Sequence, residues 1–284
     1  MLPIFRTAVG AAIVVLALVL AIAIGLREAQ SDPVVRRVTI AMRGMPTDAP
    51  PLRVALISDI HIGNRAMPVA RLSRIVDQIN AQHPDAVLMA GDMVNGLTAH
   101  SWDFHPGDLV APLSRLRTPL GVIAVLGNHD VDTSAAQVDA ALARAGVTVL
   151  QDQAMRLGPI ALIGVSRPDF MPGRLPPLIA LAHKLGGPLV LMLHPPPFAG
   201  VVSHQVPVIL AGHSHCGQIV FPGWDNSFDF IHWAWRYPPQ TRCGLVRYDH
   251  HLEIVTAGLG AATAVPLRIN APPDFWMITF VGQR

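Results

Sequence analysis

The sequence predicts an α/β protein preceded by one transmembrane helix. From about residue 52, short apolar runs of strand length alternate with segments of helical periodicity, a pattern typical of α/β sheet domains. Near the amino terminus lies a long apolar stretch without a charged residue. The chain has 284 residues and a formal net charge of +2, so we expect a single globular unit with an appendage.

Residues 8–26 read AVGAAIVVLALVLAIAIGL and carry no charge. As a helix rising about 1.5 Å per residue, this stretch nearly crosses a hydrocarbon core about 30 Å thick. A cleaved signal peptide is the alternative, but its apolar region is usually shorter and ends at a small-residue site. The best such site, residues 21–23, lies inside the apolar stretch. We therefore predict an uncleaved, single-pass membrane anchor over residues 1–30.

The charges that flank the apolar stretch bear on its orientation in the cell membrane. Arg6 precedes it, whereas Arg27, Arg36 and Arg37 follow it with acidic residues among them. Counting basic residues alone and counting net charge favour opposite orientations. From the net charge we expect the following domain to be extracytoplasmic, with the cytoplasmic face as the alternative.

A linker is predicted over residues 31–51, holding one short strand at 34–42 and closing in a proline-rich stretch. The domain itself is then expected over residues 52–284. Six continuous apolar runs suit strands that are covered on both faces: RVALIS, DAVLMA, GVIAVL, GPIALIG, PLVLML and VPVILA.

Two helices are predicted between these runs. The first, PVARLSRIVDQINAQH, has apolar residues at three- and four-residue spacing, which places one apolar stripe along it. These residues are Val69, Leu72, Ile75, Val76 and Ile79. The second helix, SAAQVDAALARAG, is expected to begin at Ser134, a good N-cap, and to end at Gly146.

Polar side chains follow five of the six apolar runs. In chain order they are Asp59 and His61, then Asp92, then Asn128 with His129 and Asp130, then His194, and last His213 and His215. Taken singly, such residues are more often turns or caps than ligands. Together they supply carboxylates, an amide and imidazoles to the carboxyl ends of strands, where sites form in α/β sheets. The sequence therefore predicts a metal centre.

The ordered blocks D-x-H, GD, GNHD, H and GHSH resemble the signature of the calcineurin-like metallophosphoesterase superfamily over residues 52–265. This resemblance implies a layered sandwich of two mixed β-sheets flanked by helices. The stretches GHSHCGQIVFP and TAGLGAATAVPLRINAPP are further similar to a membrane-associated branch that includes UDP-2,3-diacylglucosamine hydrolases. The resemblance thus implies a membrane-bound hydrolase of a phosphodiester or pyrophosphate bond, with a phosphate-ester substrate that is lipid-linked.

The resemblance also implies two divalent metal ions that share one carboxylate, with Mn²⁺, Fe or Zn²⁺ suited to imidazole and carboxylate ligands. The expected ligands are Asp59, His61 and His215 for the first ion, Asn128, His194 and His213 for the second, and Asp92 as the bridge. A hydroxide between the ions would attack the phosphorus.

Two residues beside the second ion have implied roles of their own. His129 matches the family's histidine that is not a ligand and is the candidate for protonating the leaving oxygen or stabilising the transition state. Asp130 either orients the His129 imidazole or caps a helix. His213 and His215 are expected to reach the site together, because side chains two apart on an extended chain point the same way.

Two rival functions stay open. A nuclease of the same superfamily is one, although the scattered basic residues disfavour nucleic acid as a partner. A non-catalytic membrane-bound protein that binds metal or phosphate is the other, and it is disfavoured because every ligand position is filled. The sequence predicts no particular oligomeric state.

Three further features carry expectations. Cys216 and Cys243 lack the spacing of a zinc ribbon or a CxxC motif, so we expect no disulfide framework and a buried thiol at Cys216. Residues 221–237 hold seven aromatic residues. We expect them to form an apolar lip for a lipid-like substrate or to lean on the bilayer beside the anchor, with a small aromatic core under a loop as the alternative. We expect Arg268 to contact either a phosphate or a carboxylate.

Overall fold

The computed structural model describes the chain over six ranges: 2–96, 105–166, 172–197, 204–221, 240–262 and 265–283. Within these ranges the helices are α1 (Leu2–Ala29), α2 (Val69–Asn80), α3 (Val110–Leu113), α4 (Asn128–Arg144) and α5 (Leu175–Leu185). The first six strands are β1 (Val34–Met42), β2 (Leu52–Ile57), β3 (Ala86–Ala90), β4 (Val122–Val125), β5 (Val147–Val149) and β6 (Gln153–Leu157). The others are β7 (Ile160–Val165), β8 (Leu189–Leu193), β9 (Val208–Ala211), β10 (Gly244–Arg247), β11 (Leu252–Val255) and β12 (Asp274–Gly282).

The strands form two mixed sheets of six strands each. The first has the order β1-β12-β2-β3-β4-β5, in which β2 to β5 run parallel and β12 is antiparallel to β2. The second has the order β10-β11-β9-β8-β7-β6, in which β11, β9, β8 and β7 run parallel between antiparallel edge strands. All six predicted apolar runs are strands, and they form two sets of three neighbouring parallel strands, β2-β3-β4 and β9-β8-β7.

Three apolar clusters hold the layers together. The inner cluster lies between the two sheets and includes Leu56, Leu88, Leu162 and Leu210, each fully buried. A second covers the outer face of the first sheet with α2, α3 and α4, and a third covers the outer face of the second sheet with α5. The architecture is therefore helix, sheet, sheet, helix, which confirms the expected sandwich.

The segment expected to be a linker is part of this architecture. Its strand, β1, pairs in parallel with β12 from Val34 opposite Asp274 to Met42 opposite Gly282. Ile40 and Met42 are buried in the inner cluster. The strand itself was predicted correctly. Its pairing with β12 makes it part of the first sheet and corrects the prediction that residues 31–51 only link the anchor to the domain. Nothing in the sequence indicated this pairing, because β12 lies at the far end of the chain.

Both predicted helices are present, with changed details. Val69 is 38% exposed, whereas Arg71 is buried at 1% exposure and takes a place on the inner face of α2. The second helix, α4, begins at Asn128 and not at Ser134, where the backbone is extended (φ −176°, ψ 95°) and the helix kinks. Gly146 has φ +79° and follows the helix end, as its predicted capping role requires.

Helix α1 is 28 residues long, and its residues Val9–Ala29 are long and apolar enough to cross a membrane by length and composition. Most of its large apolar side chains, such as Ile13, Leu18 and Ile24, are more than half exposed. The last turn differs, because Gly25 and Ala29 are buried against the domain. Most of the apolar surface of α1 is therefore exposed, whereas its C-terminal end packs against the domain.

Candidate metal centre

The carboxyl ends of strands from both sheets meet at one place. Asp59 and His61 follow β2, Asp92 follows β3, and Asn128 begins α4 after β4, all in the first sheet. From the second sheet, His194 follows β8, and His213 and His215 follow β9. The structure groups their acidic and imidazole side chains in clusters of metal-ligand spacing.

Asp59, His61 and His215 form the first cluster, hereafter cluster 1. The Nε2 atoms of the two imidazoles lie 3.2 Å apart, and His215 Nε2 lies 3.4 Å from Asp59 Oδ1. All three side chains are buried. Their ligand atoms therefore converge on one point from strands of both sheets.

Asp92, His194 and His213 form the second cluster, hereafter cluster 2. His194 Nε2 lies 3.0 Å from Asp92 Oδ2 and 3.1 Å from His213 Nδ1. The same Asp92 oxygen lies 3.7 Å from His61 Nε2 of cluster 1. One carboxylate oxygen thus stands between the two clusters.

These side chains fit divalent metal ions. Among the described residues, Asp59 Oδ1 and Asn128 Oδ1 are buried without a hydrogen-bond partner, and an orphaned buried acceptor is costly unless something binds it. Pairs of imidazole nitrogens face each other, an arrangement that a cation between them would stabilise. The donors are nitrogen and oxygen, the set that suits Mn²⁺, Fe and Zn²⁺.

The electrostatics keep most of these groups in their ligand forms. Burial lowers the pKa of His61 and of His213 to about 3 and holds that of His215 well below its usual value, so these rings are neutral and able to bind metal. Burial also raises the pKa of Asp59, to about 6. Burial lowers the pKa of His194, but the charge of the adjacent Asp92 carboxylate has the larger effect and raises this pKa to about 9.

The backbone at the site corrects the expected geometry of the GHSH block. His213 has φ 69° and His215 has φ 49°, both in the left-handed region, and His215 opens a short 3₁₀ turn over His215–Gly217. The two residues are therefore not extended neighbours that point the same way. The tight turn sends His215 to cluster 1 and His213 to cluster 2.

His129 lies beside both clusters. Its ring is partly buried and meets the His61 ring edge-on, with centroids 4.9 Å apart. Its Nδ1 bonds the carbonyl oxygen of Gly96, and since a carbonyl only accepts, Nδ1 carries the hydrogen. The lone pair of a neutral His129 is then on Nε2.

Asp130 has the cap role, one of the two roles that the sequence left open. Its Oδ1 accepts the backbone N–H groups of Met93 (2.8 Å) and Val94 (3.1 Å), and its Oδ2 accepts that of Gly127 (2.9 Å). The carboxylate is fully buried, and burial raises its pKa to about 7. The bond to the Gly127 N–H caps α4, and the bonds to Met93 and Val94 tie the start of this helix to the end of β3.

Other residues at the site were missed or misassigned from the sequence. Cys216 is joined to Cys243 in a disulfide bond, which corrects the expected buried thiol. The sequence did not predict this bond, because the proximity of the two cysteines depends on tertiary structure.

Ser58, which donates its hydroxyl to Asp59 Oδ2, was not predicted as a site residue. Its position next to the proposed ligand Asp59 is the only sequence signal for it. Arg268 lies buried, with its guanidinium bonded to backbone carbonyls and beside His215. Of the aromatic stretch, all but Phe221 lies outside the described residues.

Two mixed sheets with acid and imidazole clusters at the carboxyl ends of their strands define the class, a dinuclear-type metal-binding sandwich. Residues 52–217, more than half of the chain, match the calcineurin-like phosphoesterase family. The chain therefore belongs to this family.

Individual relatives agree with this assignment. The chain is 28% identical over 263 residues to a transmembrane protein with metallophosphoesterase domain from Danio rerio, covering 86% of this chain and 56% of that protein. It is 27% identical over 237 residues to a metallophosphoesterase of Helicobacter pylori (78% and 58%). Over 82 residues it is 37% identical to UDP-2,3-diacylglucosamine pyrophosphatase LpxG of Chlamydia trachomatis (29% and 23%). The chain spans 43–58% of the length of several relatives.

Proposed function

We propose that this protein is a membrane-anchored, dinuclear-metal phosphoesterase that hydrolyses a phosphodiester or pyrophosphate bond in a lipid-linked substrate. The observation that carries this proposal is the pair of adjacent clusters with the Asp92 carboxylate between them. Cluster 1 would hold one ion, and cluster 2 with Asn128 would hold the other. Two ions held in this way supply Lewis acidity that binds phosphate oxygens and acidifies a water molecule.

The residues themselves do three things in such a reaction. The Asp92 carboxylate would serve both ions, since its Oδ2 lies near His61 of cluster 1 and His194 of cluster 2, and the neutral rings of His61, His213 and His215 would bind without adding negative charge. With two carboxylates, Asp59 and Asp92, among seven proposed ligands, two divalent ions keep the site cationic and attract an anionic phosphate. With Nδ1 held by the Gly96 carbonyl, Nε2 is the atom from which His129 would donate a proton to the leaving oxygen, and this proton would be regained from solvent water.

The proposed lipid-linked substrate is supported by two observations. Helix α1 could cross a membrane by its length and composition, and its end is docked on the domain. The relative from Chlamydia trachomatis is named as a UDP-2,3-diacylglucosamine pyrophosphatase. A substrate of this chemistry, with a nucleoside diphosphate joined to an acylated sugar, brings the phosphate to the membrane surface where the domain would lie.

The proposed location is extracytoplasmic, and the disulfide between Cys216 and Cys243 supports it, since disulfides persist in oxidising compartments and are rare in reducing ones. Labelling of free thiols in intact cells, with and without prior reduction, tests this location. Labelling of both cysteines without reduction would contradict it.

The function is tested with the full-length protein in detergent, loaded with Mn²⁺ and assayed against a generic phosphodiester, UDP-2,3-diacylglucosamine, a phospholipid and a single-stranded DNA. We expect turnover of the generic diester and a higher kcat/KM for the nucleotide-linked lipid. The Asp92→Ala variant is the control and should lose metal and activity together. An Asp92→Ala variant with full metal content and activity would refute the shared carboxylate, and cleavage of DNA alone would favour the nuclease.

A further inference from the structure

Arg268 is a fully buried cation whose guanidinium bonds mainly to backbone carbonyls. Its Nε donates to the Gly260 carbonyl (2.8 Å), its Nη1 to that of Ala271 (2.8 Å), and its Nη2 to that of Ala257 (2.6 Å). The Nη2 atom also lies 3.2 Å from Nδ1 of His215, the ring nitrogen opposite the one that faces cluster 1. The guanidinium therefore touches a proposed metal ligand directly.

The loop that Arg268 holds also supports the strand end that carries Asp59. Between Ala257 and Gly260, the Leu259 N–H donates to the Ser58 carbonyl (3.0 Å) and the Gly260 N–H donates to the Asp59 carbonyl (2.7 Å). Arg268 thus reaches two members of cluster 1, His215 directly and Asp59 through this loop. None of the bonds described for Arg268 goes to Asn128, His194 or His213.

The end of α1 holds the segment that carries Arg268. The Gly25 carbonyl accepts the backbone N–H of Arg268 (3.0 Å). The Glu28 carboxylate accepts the backbone N–H groups of Asn270 (3.2 Å) and Ala271 (3.1 Å). A Cβ at Gly25 would lie 3.2 Å from Leu267 Cβ, so the helix and this segment are in close contact. A continuous set of contacts therefore runs from the membrane helix to cluster 1.

We propose that Arg268 is a positioning residue for the metal ion of cluster 1, and that the end of α1 holds Arg268 in place through Gly25 and Glu28. This inference rests on the proposed metal centre. The physical reason is that the guanidinium donates to the backbone carbonyls of His215, Ala257 and Gly260, and these bonds fix the segments that carry His215 and support Asp59 when the metal binds. Loss of such outer contacts typically costs about 10- to 100-fold in metal affinity. A lysine at 268 keeps the charge but cannot make the several directed bonds of a guanidinium.

The test uses full-length protein in detergent and measures Mn²⁺ binding by equilibrium dialysis together with electron paramagnetic resonance. We expect Arg268→Lys to weaken one of two Mn²⁺ sites by about 10- to 100-fold. At limiting Mn²⁺ the signal of a coupled ion pair should give way to that of a single ion. The control is Arg156→Lys, since the Arg156 guanidinium also donates to backbone carbonyls, those of Gly158, Leu185 and Gly186, none of which lies in the loop that Arg268 holds or next to a proposed ligand in the chain. It should keep both ions.

Double variants assign the weakened site to a cluster. His213→Ala removes a ligand of cluster 2, so adding Arg268→Lys should abolish tight binding of the remaining ion. His61→Ala removes a ligand of cluster 1, so adding Arg268→Lys should change the remaining ion little. The opposite pattern would overturn the assignment of Arg268 to cluster 1.

The outcomes separate this inference from the proposed function. A wild-type protein that binds no divalent ion would refute the proposed metal centre. A wild type with two ions and an Arg268→Lys variant with two ions of unchanged affinity would refute the inference alone. If Arg268→Lys does not fold, Glu28→Ala decides, because weaker binding at cluster 1 supports the inference and unchanged binding of both ions overturns it.

Discussion

Five of the seven proposed metal ligands have a left-handed backbone: Asp59, His61, Asp92, His213 and His215. Residues other than glycine adopt this region rarely, although Asp and His do so more often than most. Each such residue costs on the order of 1–3 kcal/mol and persists where its surroundings hold it. At this site the sharp turns direct the side chains across the strand ends and into the clusters. The backbone strain of these residues is therefore located at the proposed metal centre.

Close packing also restricts which residues the site tolerates. A Cβ at Gly127 would overlap the Asp92 carboxylate and lie 2.8 Å from its Cγ. We expect Gly127→Ala to displace Asp92 and to lower both metal affinity and turnover by about 10- to 100-fold. Metal analysis of the dialysed protein and a diester assay measure this effect. The control is Gly173→Ala, where a Cβ meets nothing within 4 Å, and an equal loss in both variants would contradict the steric argument.

His129 is the residue for which metal binding and turnover should separate. Its Nδ1 is held by Gly96 and its ring is not one of the proposed ligands. We expect His129→Ala to keep both ions but to lose at least about 10²-fold in kcat, as loss of a general acid does. His105→Ala, which changes an exposed histidine, is the control. Unchanged kcat in His129→Ala would remove this residue from the reaction.

At the scale of elements, the start of α4 is tied to the end of β3. The Asp130 carboxylate accepts N–H groups from Met93 and Val94 after β3 and from Gly127 before α4. Both elements carry proposed ligands, Asp92 and Asn128. One buried carboxylate thus fixes the spacing of two ligands that belong to neighbouring strands, while it also caps the helix.

Removing this carboxylate should reduce stability. Asp130→Ala leaves three buried N–H groups without an acceptor, which costs roughly 2–3 kcal/mol in total when neighbouring groups relax. For a protein of this size we expect a fall in Tm of about 5–10 °C, measured by thermal unfolding. Asp132→Ala is the control on the same helix, because Asp132 is exposed and its loss should change Tm little. A Tm for Asp130→Ala equal to that of the control would contradict the cap.

At the scale of the whole molecule, the centre joins the two sheets. Cluster 1 takes Asp59 and His61 from the first sheet and His215 from the second, and cluster 2 takes Asp92 from the first and His194 from the second. Ions bound there would link the carboxyl ends of both sheets, in addition to the apolar cluster between them. Metal binding should therefore stabilise the fold as a whole.

Metal binding to the native state alone should raise Tm. At 100 times Kd, one ion stabilises the protein by about 2.7 kcal/mol, which corresponds to roughly 5–10 °C. Thermal unfolding with Mn²⁺ and with chelator measures the shift, and Asp92→Ala should show a much smaller one. Equal shifts in the wild type and in Asp92→Ala would place the bound ions elsewhere.

The sequence by itself determined the six buried strands, the two main helices and the set of polar residues at strand ends. These follow from short-range causes: continuous apolar runs, three- and four-residue periodicity, and the position of a residue directly after a strand. The ordered blocks then carried the resemblance that the family match confirmed. The same short-range signals could not decide between a cap and a second role for Asp130, because both need an acid at that position.

Only the tertiary structure decided which distant segments meet. It paired β1 with β12, joined Cys216 to Cys243, turned His213 and His215 toward different clusters and buried Arg268 beside His215. Each of these depends on contacts between segments far apart in the chain, and on backbone turns that the packing around them holds in the left-handed region. Local sequence patterns predict neither these contacts nor these turns. The free energy that stabilises both comes from residues that are distant in the chain and meet only in the folded protein.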